Sequence, residues 1–393
     1  MEVKPGYKQR EVGAIPEGWK LKRLGELGSV VRGGSPRPAG DPRYFDGQFI
    51  PWLTVAALTN IPEHQLRVTD TAGFLTEEGA KHSRTLERGT LIIANSGATL
   101  GVAKVLNVTC CANDGIAAIV NQTAGDKEFV CHYINSRTKH LREVVATGNG
   151  QPNLNTTLIR EMPIPFPPPA EQRAIAGALS DVDALLGALD QLIAKKRDIK
   201  QATMQQLLTG QIRLPGFHGE WQVKRLGDVV EIIKGELITE KAAIPGNIPV
   251  IAGGKKPAYF HNRANRAGKT ITISGSGASA GYVSFFEMPI FASDCSTIRE
   301  GPSYVIQFIY FVLHLRQGEI YRAQTGGAQP HIHPNDLRPM SIGVPQVAEQ
   351  TAIAEVLSDM DAELAALEQR RDKTRVLKQG MMQELLTGRT RLA

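Results

Sequence analysis

The sequence predicts an α/β (α+β) protein built as an internal repeat, in which two related globular modules are each closed by one long helix about a pseudo-twofold. Three observations carry this. The stretch AEQRAIAGALSDVDALLGALDQLIAKKRDIKQATMQQLLTG, from Ala170 to Gly210, returns 178 positions later, from Ala348 to Gly388, with 25 of 41 residues identical and no gap. Inside both copies the apolar residues recur at alternating steps of four and three: Ile175, Leu179, Val182, Leu186, Leu189 and Ile193, then Ile353, Leu357, Met360, Leu364 and Leu367. That spacing is the a/d seam of a coiled coil. Shorter strings also keep their order ahead of each helix. Trp19 and Trp221 each precede Lys-Arg-Leu-Gly, Thr90-LIIANSG matches Thr270-ITISGSG, and Thr147-GNGQP matches Thr325-GGAQP.

Each long helix lacks internal proline, and Pro169 and Gly210 punctuate the first. A single copy would suit an amphipathic helix on a globular core; two near-identical copies favour helices that pair with each other. At about 1.5 Å per residue each spans roughly 58 Å, a spacer's length. In module one, Leu24 to Leu27 predicts a helical turn, followed by Ser29-Val-Val-Arg and the turn-rich GGSPRPAGDPRYFDG. Strands are predicted at Phe49–Val55, Leu91–Ala94, Val102–Leu106 and Gly115–Val120, and a helix at Lys127–Ala146 with Phe129, Tyr133, Ile134, Leu141 and Val144 inward. Ile159 to Phe166 leads extended into the long helix. Module two repeats the plan, with strands at Ile248–Ile251, Thr270–Ser274, Tyr282–Phe286 and Pro289–Ala292 and a helix at Tyr304–Tyr321. Trp19 to Gly97 is longer than Trp221 to Gly277, so module one carries about 22 extra residues between Gly34 and Thr90.

With 393 residues, 42% hydrophobic and 21% charged, the chain has room for two or three cores. A net charge of +6 leans mildly towards an anionic partner and falls far short of a histone-like tail. The four cysteines show no paired CxxC spacing, which gives neither a zinc nor a disulfide signature. The first residues hold no apolar signal region and no 18-residue apolar run occurs, so the expectation is a cytoplasmic protein without a membrane span.

Motifs for catalysis fail one by one. Gly268-Lys269-Thr270 resembles the tail of a phosphate-binding loop, but its first glycine would fall at Arg263 and a strand follows. His331 and His333 have metal-like spacing, yet module one has Asn153 and Asn155 there, which suggests polar loop contacts. No Asp-Pro-Pro-Tyr or Asn-Pro-Pro-Phe string of an amino-methyltransferase is present, and no Gly-x-Ser-x-Gly elbow surrounds Ser96 or Ser276. The expectation is no catalytic, cofactor or metal site on this chain. Nucleic-acid signals are stronger. From Lys241 to Phe286 there is no acidic residue, while Lys255, Lys256, Arg263 and Arg266 interleave with Tyr259, His261 and Asn262. Cations meet phosphates, and Asn, His and Arg pair with base edges; a solvated basic loop is the alternative. Module one has Arg32, Ser35, Arg37, Arg43 and Tyr44 in its first loop and Lys81 and Arg84 ahead of the Leu91 strand. Ser96 and Ser276 lie in glycine-rich turns that either let backbone amides approach a phosphate or only close a tight turn. Gln151 and Gln329, in the shared Gln-Pro loop, favour an architectural role.

The paired tryptophans with KRLG, the Gln-Pro loops before Pro-rich strands, AEQ at each helix start and LLTG at each helix end resemble the DNA-specificity subunit of type I restriction–modification enzymes, over nearly the whole chain. The resemblance implies target-recognition domains at 1–166 and 213–344, with conserved helical regions at 167–212 and 345–393 forming an antiparallel coiled coil. It implies a double-stranded DNA target in two halves whose spacing the helices fix. Two methyltransferase subunits and two motor subunits are the implied partners, and S-adenosylmethionine, ATP and Mg are implied for those partners alone. The basic runs Lys195-Lys196-Arg197 and Arg370-Arg371-Asp372-Lys373 would be solvated faces, or would meet acidic partner surfaces or DNA. A coiled-coil scaffold with two protein-binding modules is the alternative reading, and a methyltransferase of unusual sequence a third.

Overall fold

The computed structural model describes residues 5–71, 73–146, 152–326 and 329–392. The chain packs as two compact units, residues 1–191 with 368–393 and residues 192–367. Each unit holds one module and part of each long helix, whereas the four stretches expected from the sequence follow the chain in order.

In the first unit, Leu91–Ala94 is buried along its whole length at the centre of a five-stranded sheet. The order is Ser29–Arg32, Ile116–Val120, Leu91–Ala94, Ala103–Leu106, Arg67–Val68, antiparallel except for the last pair. Strand alternation divides the core. Leu91, Ile93, Ala117 and Ile119 pack towards the helix Lys127–Ser136 with Phe129, Val130 and Ile134. Ile92, Ala94, Ile116 and Ala118 face a second cluster with Leu53, Leu58 and Leu86. That cluster lies against a four-stranded sheet ordered Gly73–Leu75, Phe45–Leu53, Cys110–Ala112, Arg84–Leu86. Asp126 caps the helix by accepting from the Glu128 and Phe129 amides.

The second unit repeats this in smaller form. Its main sheet runs Ile233–Lys234, Cys295–Arg299, Thr270–Ser274, Val283–Phe286, and its small sheet Tyr259–His261, Ile248–Ile251, Phe291–Ala292. Ile271 and Ile273 pack on the helix Ile306–Leu315, while Thr270, Thr272 and Ser274 are buried on the other face.

The long helices are Pro169–Leu208 and Val347–Leu385. Within each unit their ion pairs run in opposite senses along the two segments, so they are antiparallel. In the first unit Asp183 meets Lys378 at 2.6 Å and Asp190 meets Arg371 at 3.6 Å. In the second, Lys196 meets Glu363 at 2.7 Å and Lys200 pairs with Asp361. Asp183–Lys378 and Asp361–Lys200 are one pair repeated. Ile175, Leu179, Leu186, Leu189, Ile193, Ile353, Leu357 and Leu364 are buried, as the seam requires; Val182, Met360 and Leu367 are half-buried.

Several local expectations are corrected. Phe49–Val55 is part of a longer strand ending at Leu53; Thr54 then caps a short helix, Val55–Thr59, by accepting from the Ala57 amide. The helix predicted to Ala146 breaks at Arg137 (φ −102°, ψ 0°), leaving Val144 68% exposed instead of inward. Its counterpart breaks at Arg316 (φ −93°, ψ 15°). Ile159 is in a helical turn, Thr156–Arg160, not an extended lead, and only Pro163–Phe166 is extended.

Candidate nucleic-acid interface and its anchors

Two constructions recur in both units, one beneath the loops and one at the helix ends. Beneath the loops, Gly33 and Gly235 lie so close to the neighbouring strand that an added Cβ would stand 2.2 Å from the Asn113 carbonyl oxygen and 2.1 Å from that of Ser293. Only glycine permits that approach. It brings the first loop of module one onto the strand end at Asn113–Asp114 and that of module two onto the equivalent segment Ala292–Cys295; Asp114 and Asp294 are 180 positions apart. Ser35 donates to Asp114 Oδ1 at 2.9 Å, and Ser276 donates to Asp294 Oδ2. Arg32 donates to the Asp114 carbonyl, and Arg84 reaches back to the Arg32 carbonyl at 2.7 Å. Arg266 occupies the matching place: it donates to Thr297 Oγ1 at 2.9 Å, to the Asn265 carbonyl at 2.9 Å and to the Lys234 carbonyl at 3.3 Å. Burial holds its pKa below the ordinary arginine value. These five residues, Arg32, Ser35, Arg84, Arg266 and Ser276, are tied into the framework that carries the loops.

His261 also turns inward. It is 5% exposed, its Nδ1 sits 3.0 Å from the Ile244 amide, and its ring packs edge-on to Phe291 at 5.2 Å. Tyr259 is half-buried and donates to the Ile238 carbonyl at 2.5 Å. Tyr44 is half-buried against His82, with ring centroids 5.1 Å apart. Ser96 is half-buried in its turn.

The remaining candidates are at the surface. Arg37 stands 3.6 Å from Asp114, Arg43 pairs with Asp41 at 2.6 Å, and Lys81 with Glu78 at 3.2 Å, with cation side chains 61–74% exposed. In module two Lys255, Lys256 and Asn262 are exposed. Lys255 Nζ lies 5.1 Å from the Tyr282 ring centroid; Arg263, 60% exposed, pairs with Glu236, 58% exposed, at 3.0 Å. Exposed pairs of this kind are worth about 0–1 kcal/mol, so a phosphate can displace them.

The register of the small sheets brings out two exposed phenylalanines, Phe260 from the basic stretch Lys241–Phe286 and Phe74, which the sequence did not suggest. Phe74 lies opposite Pro51 and Phe260 opposite Pro249, at equivalent positions of the two modules. Their side chains are 41% and 56% exposed. They are 186 positions apart, off the repeat's main offsets, which hid the equivalence.

The Asn/His exchange in the Gln-Pro loops has a local explanation. Asn155 caps the helix Thr156–Arg160 by accepting from the Leu158 amide at 2.8 Å, and His333 precedes the helix Pro334–Leu337. The residues between are anchors: the Leu154 amide donates to the Asn95 carbonyl at 2.8 Å, and the Ile332 amide to the Gly275 carbonyl at 3.0 Å. Gln329 is exposed, and Gln151 lies outside the described residues. Among the described residues no cluster of three metal-ligating side chains occurs.

At the helix ends the repeated strings become one construction. Glu171 accepts from the buried Trp19 indole at 3.0 Å and from Arg391 Nη2 at 2.8 Å. Glu349 accepts from the Trp221 indole at 3.2 Å and from Arg213 Nη2 at 2.6 Å. The neighbouring Gln172 accepts from the Asp126 amide at 2.8 Å, and Gln350 from the Val305 amide at 2.9 Å. Each arginine follows the LLTG glycine by three residues, and both glycines, Gly210 and Gly388, have φ +73°. AEQ, the tryptophan and LLTG therefore form one lock, in which the start of one long helix holds the end of the other.

The family model described as type I restriction modification DNA specificity domain matches residues 16–197 and again 218–376. The chain is 26% identical to the MjaIX specificity subunit of Methanocaldococcus jannaschii over 61% of its own length and 59% of that protein's. It is 22% identical to the MjaVIII specificity subunit of the same organism, over 98% and 96%. A crystal structure of a type I restriction–modification S subunit from M. genitalium superposes over 98% of both chains with a TM-score of 0.66 at 16% identity. No helix is long and apolar enough to cross a membrane among the described residues. The chain belongs to the type I restriction–modification DNA specificity family, whose part is recognition of the DNA target and not catalysis.

Proposed function

We propose that this chain reads a double-stranded DNA target in two halves, one through each recognition domain (1–166 and 213–344), while the helical regions 167–212 and 345–393 set the distance between the halves. The observation that carries this reading is the repeated construction: one module, one Trp–Glu–Arg lock and one long helix, made twice. A single reader needs no duplicate; two readers on a spacer need both. Affinity comes from Arg37, Arg43, Lys81, Lys255, Lys256 and Arg263 on phosphates and falls with salt. Discrimination comes from Asn262 and Phe260 in module two and from Phe74 in module one, the phenylalanines as apolar contacts to thymine methyl groups. The helices dock two methyltransferase subunits, and two motor subunits complete the complex; S-adenosylmethionine, ATP and Mg belong to those partners.

The test is methylation sequencing of DNA from cells that express this chain with a cognate methyltransferase subunit. A split motif with adenine methylated in both halves is expected. No motif, with the partner folded and active, would contradict the reading and favour a scaffold whose modules bind protein. In the same assay Phe74→Ala and Phe260→Ala should each relax base preference in a different half by tenfold or more, about 1.4 kcal/mol.

A further inference from the structure

The insertion in module one places a loop, residues 62–65, on the helix pair of its own unit. Lys104, in the strand Ala103–Leu106 and 2% exposed, holds this loop from beneath, donating to the Pro62 carbonyl at 2.9 Å and the Gln65 carbonyl at 2.6 Å. A buried ammonium is costly unless its donors are satisfied, and here the loop accepts two of the three. From the other side of the loop, His64 reaches the first long helix. Its ring lies where a Cβ on Gly187 would stand 3.3 Å from Cδ2 and Nε2, and its Nδ1 is 3.6 Å from Asp190. Asp190 in turn faces Arg371 and Arg375 of the second helix, each at 3.6 Å. The loop thus ends on a residue shared by both helices.

A glycine inside a helix costs roughly 0.5–1 kcal/mol against alanine; at position 187 its missing Cβ makes room for the imidazole. Both His64 and Lys104 line a cavity of about 900 Å³, together with Leu186, Asp190, Arg375 and Lys378. The loop therefore meets the helices as a strut across a gap and not as part of a continuously packed wall. Among its described residues module two has no such construction. Its main sheet ends at Val283–Phe286, and Ser284 stands at the position matching Lys104. Ala365 stands at the position matching Gly187, so the second helix keeps the Cβ that the first omits beside His64.

We propose that the 62–65 loop is a brace that fixes the angle of module one on the helical spacer, with His64, Lys104 and Gly187 as positioning residues for the gap between half-sites. This rests on the reading of the chain as two readers on a spacer. The test assembles His64→Ala and Gly187→Leu chains with cognate methyltransferase subunits; the second attacks the brace from the helix and leaves the loop intact. Methylation is measured on duplexes with the native gap, with gaps one base pair shorter or longer, and with single base changes in either half. Both variants should raise the relative rate on the wrong gaps at least fivefold, with base preferences at the native gap unchanged. Unchanged gap discrimination in the variants, with only a lower melting temperature, would reduce the loop to a stabiliser of module one and overturn the proposal. A parent complex indifferent to the gap would instead overturn the two-reader reading.

Discussion

Glu171 and Glu349 each join two elements far apart in sequence. Glu171 is 6% exposed and serves Trp19 and Arg391 together. Removing its carboxylate leaves the fully buried Trp19 indole N–H without an acceptor and deprives Arg391, 45% exposed, of its ion pair. Glu171→Ala should therefore lower unfolding free energy by about 3 kcal/mol, and Glu171→Gln, which keeps an acceptor for the indole, by less; urea unfolding of the two variants checks the order. His132 offers a second prediction. It is fully buried with neither ring nitrogen hydrogen-bonded, and burial, reinforced by the nearby Lys378 charge, pushes its pKa down from 6.5 to about 3. Between those values the unfolded chain binds the proton and the folded chain does not. Stability is thus complete above pH 6.5 and declines as pH falls, by at most about 1.4 kcal/mol per unit. His132→Leu should flatten that acid limb, and an equally steep limb in the variant would contradict the assignment. AEQ, the tryptophans and LLTG were visible in the sequence as strings, but not as one lock, since their partners lie 128–220 positions apart. The inward ties of His261 and Arg266 have a chemical reason. The donors that read base edges are the same donors that satisfy carbonyls inside a fold, and composition does not separate the two uses.

At the scale of elements, the two long helices were the most legible, because an apolar spacing of alternating fours and threes from Ile175 to Ile193, returning from Ile353 to Leu367 in stretches free of proline, points to paired helices. The central strands Leu91–Ala94 and Thr270–Ser274 followed from continuous apolar or β-branched runs. Short strands such as Tyr259–His261 and Arg67–Val68 did not, because their pairing is set by tertiary partners and not by local pattern. The break at Arg137 was hidden, since neither glycine nor proline lies near it, and the break at Arg316 has only Gly318, two residues on, to mark it. The helix glycines separate by environment. Gly177 and Gly380 would place a Cβ in open space at ordinary helical φ, whereas Gly187 would press on His64. Gly177→Ala and Gly380→Ala should each stabilise the chain by about 0.5–1 kcal/mol, read as a raised melting temperature. Gly187→Ala should gain less or lose.

For the whole molecule, the repeat was legible as a module and a helix made twice, and the unequal loops were legible as the place where the two copies differ. The sequence did not show that each compact unit combines its module with segments of both helices, because that follows from antiparallel pairing and not from chain order. The central claim is that helix length sets the gap between two independently read half-sites. The most direct measurement inserts one seven-residue repeat after Gln191 and another after Leu367, which preserves the seam and lengthens the spacer by roughly 10 Å. Methylation sequencing of cells carrying this chain with its methyltransferase partner should then show both half-sites unchanged and the gap longer by about three base pairs, at about 3.4 Å per base pair. An active complex whose gap stays at its original length, or whose half-site bases change, would contradict the account.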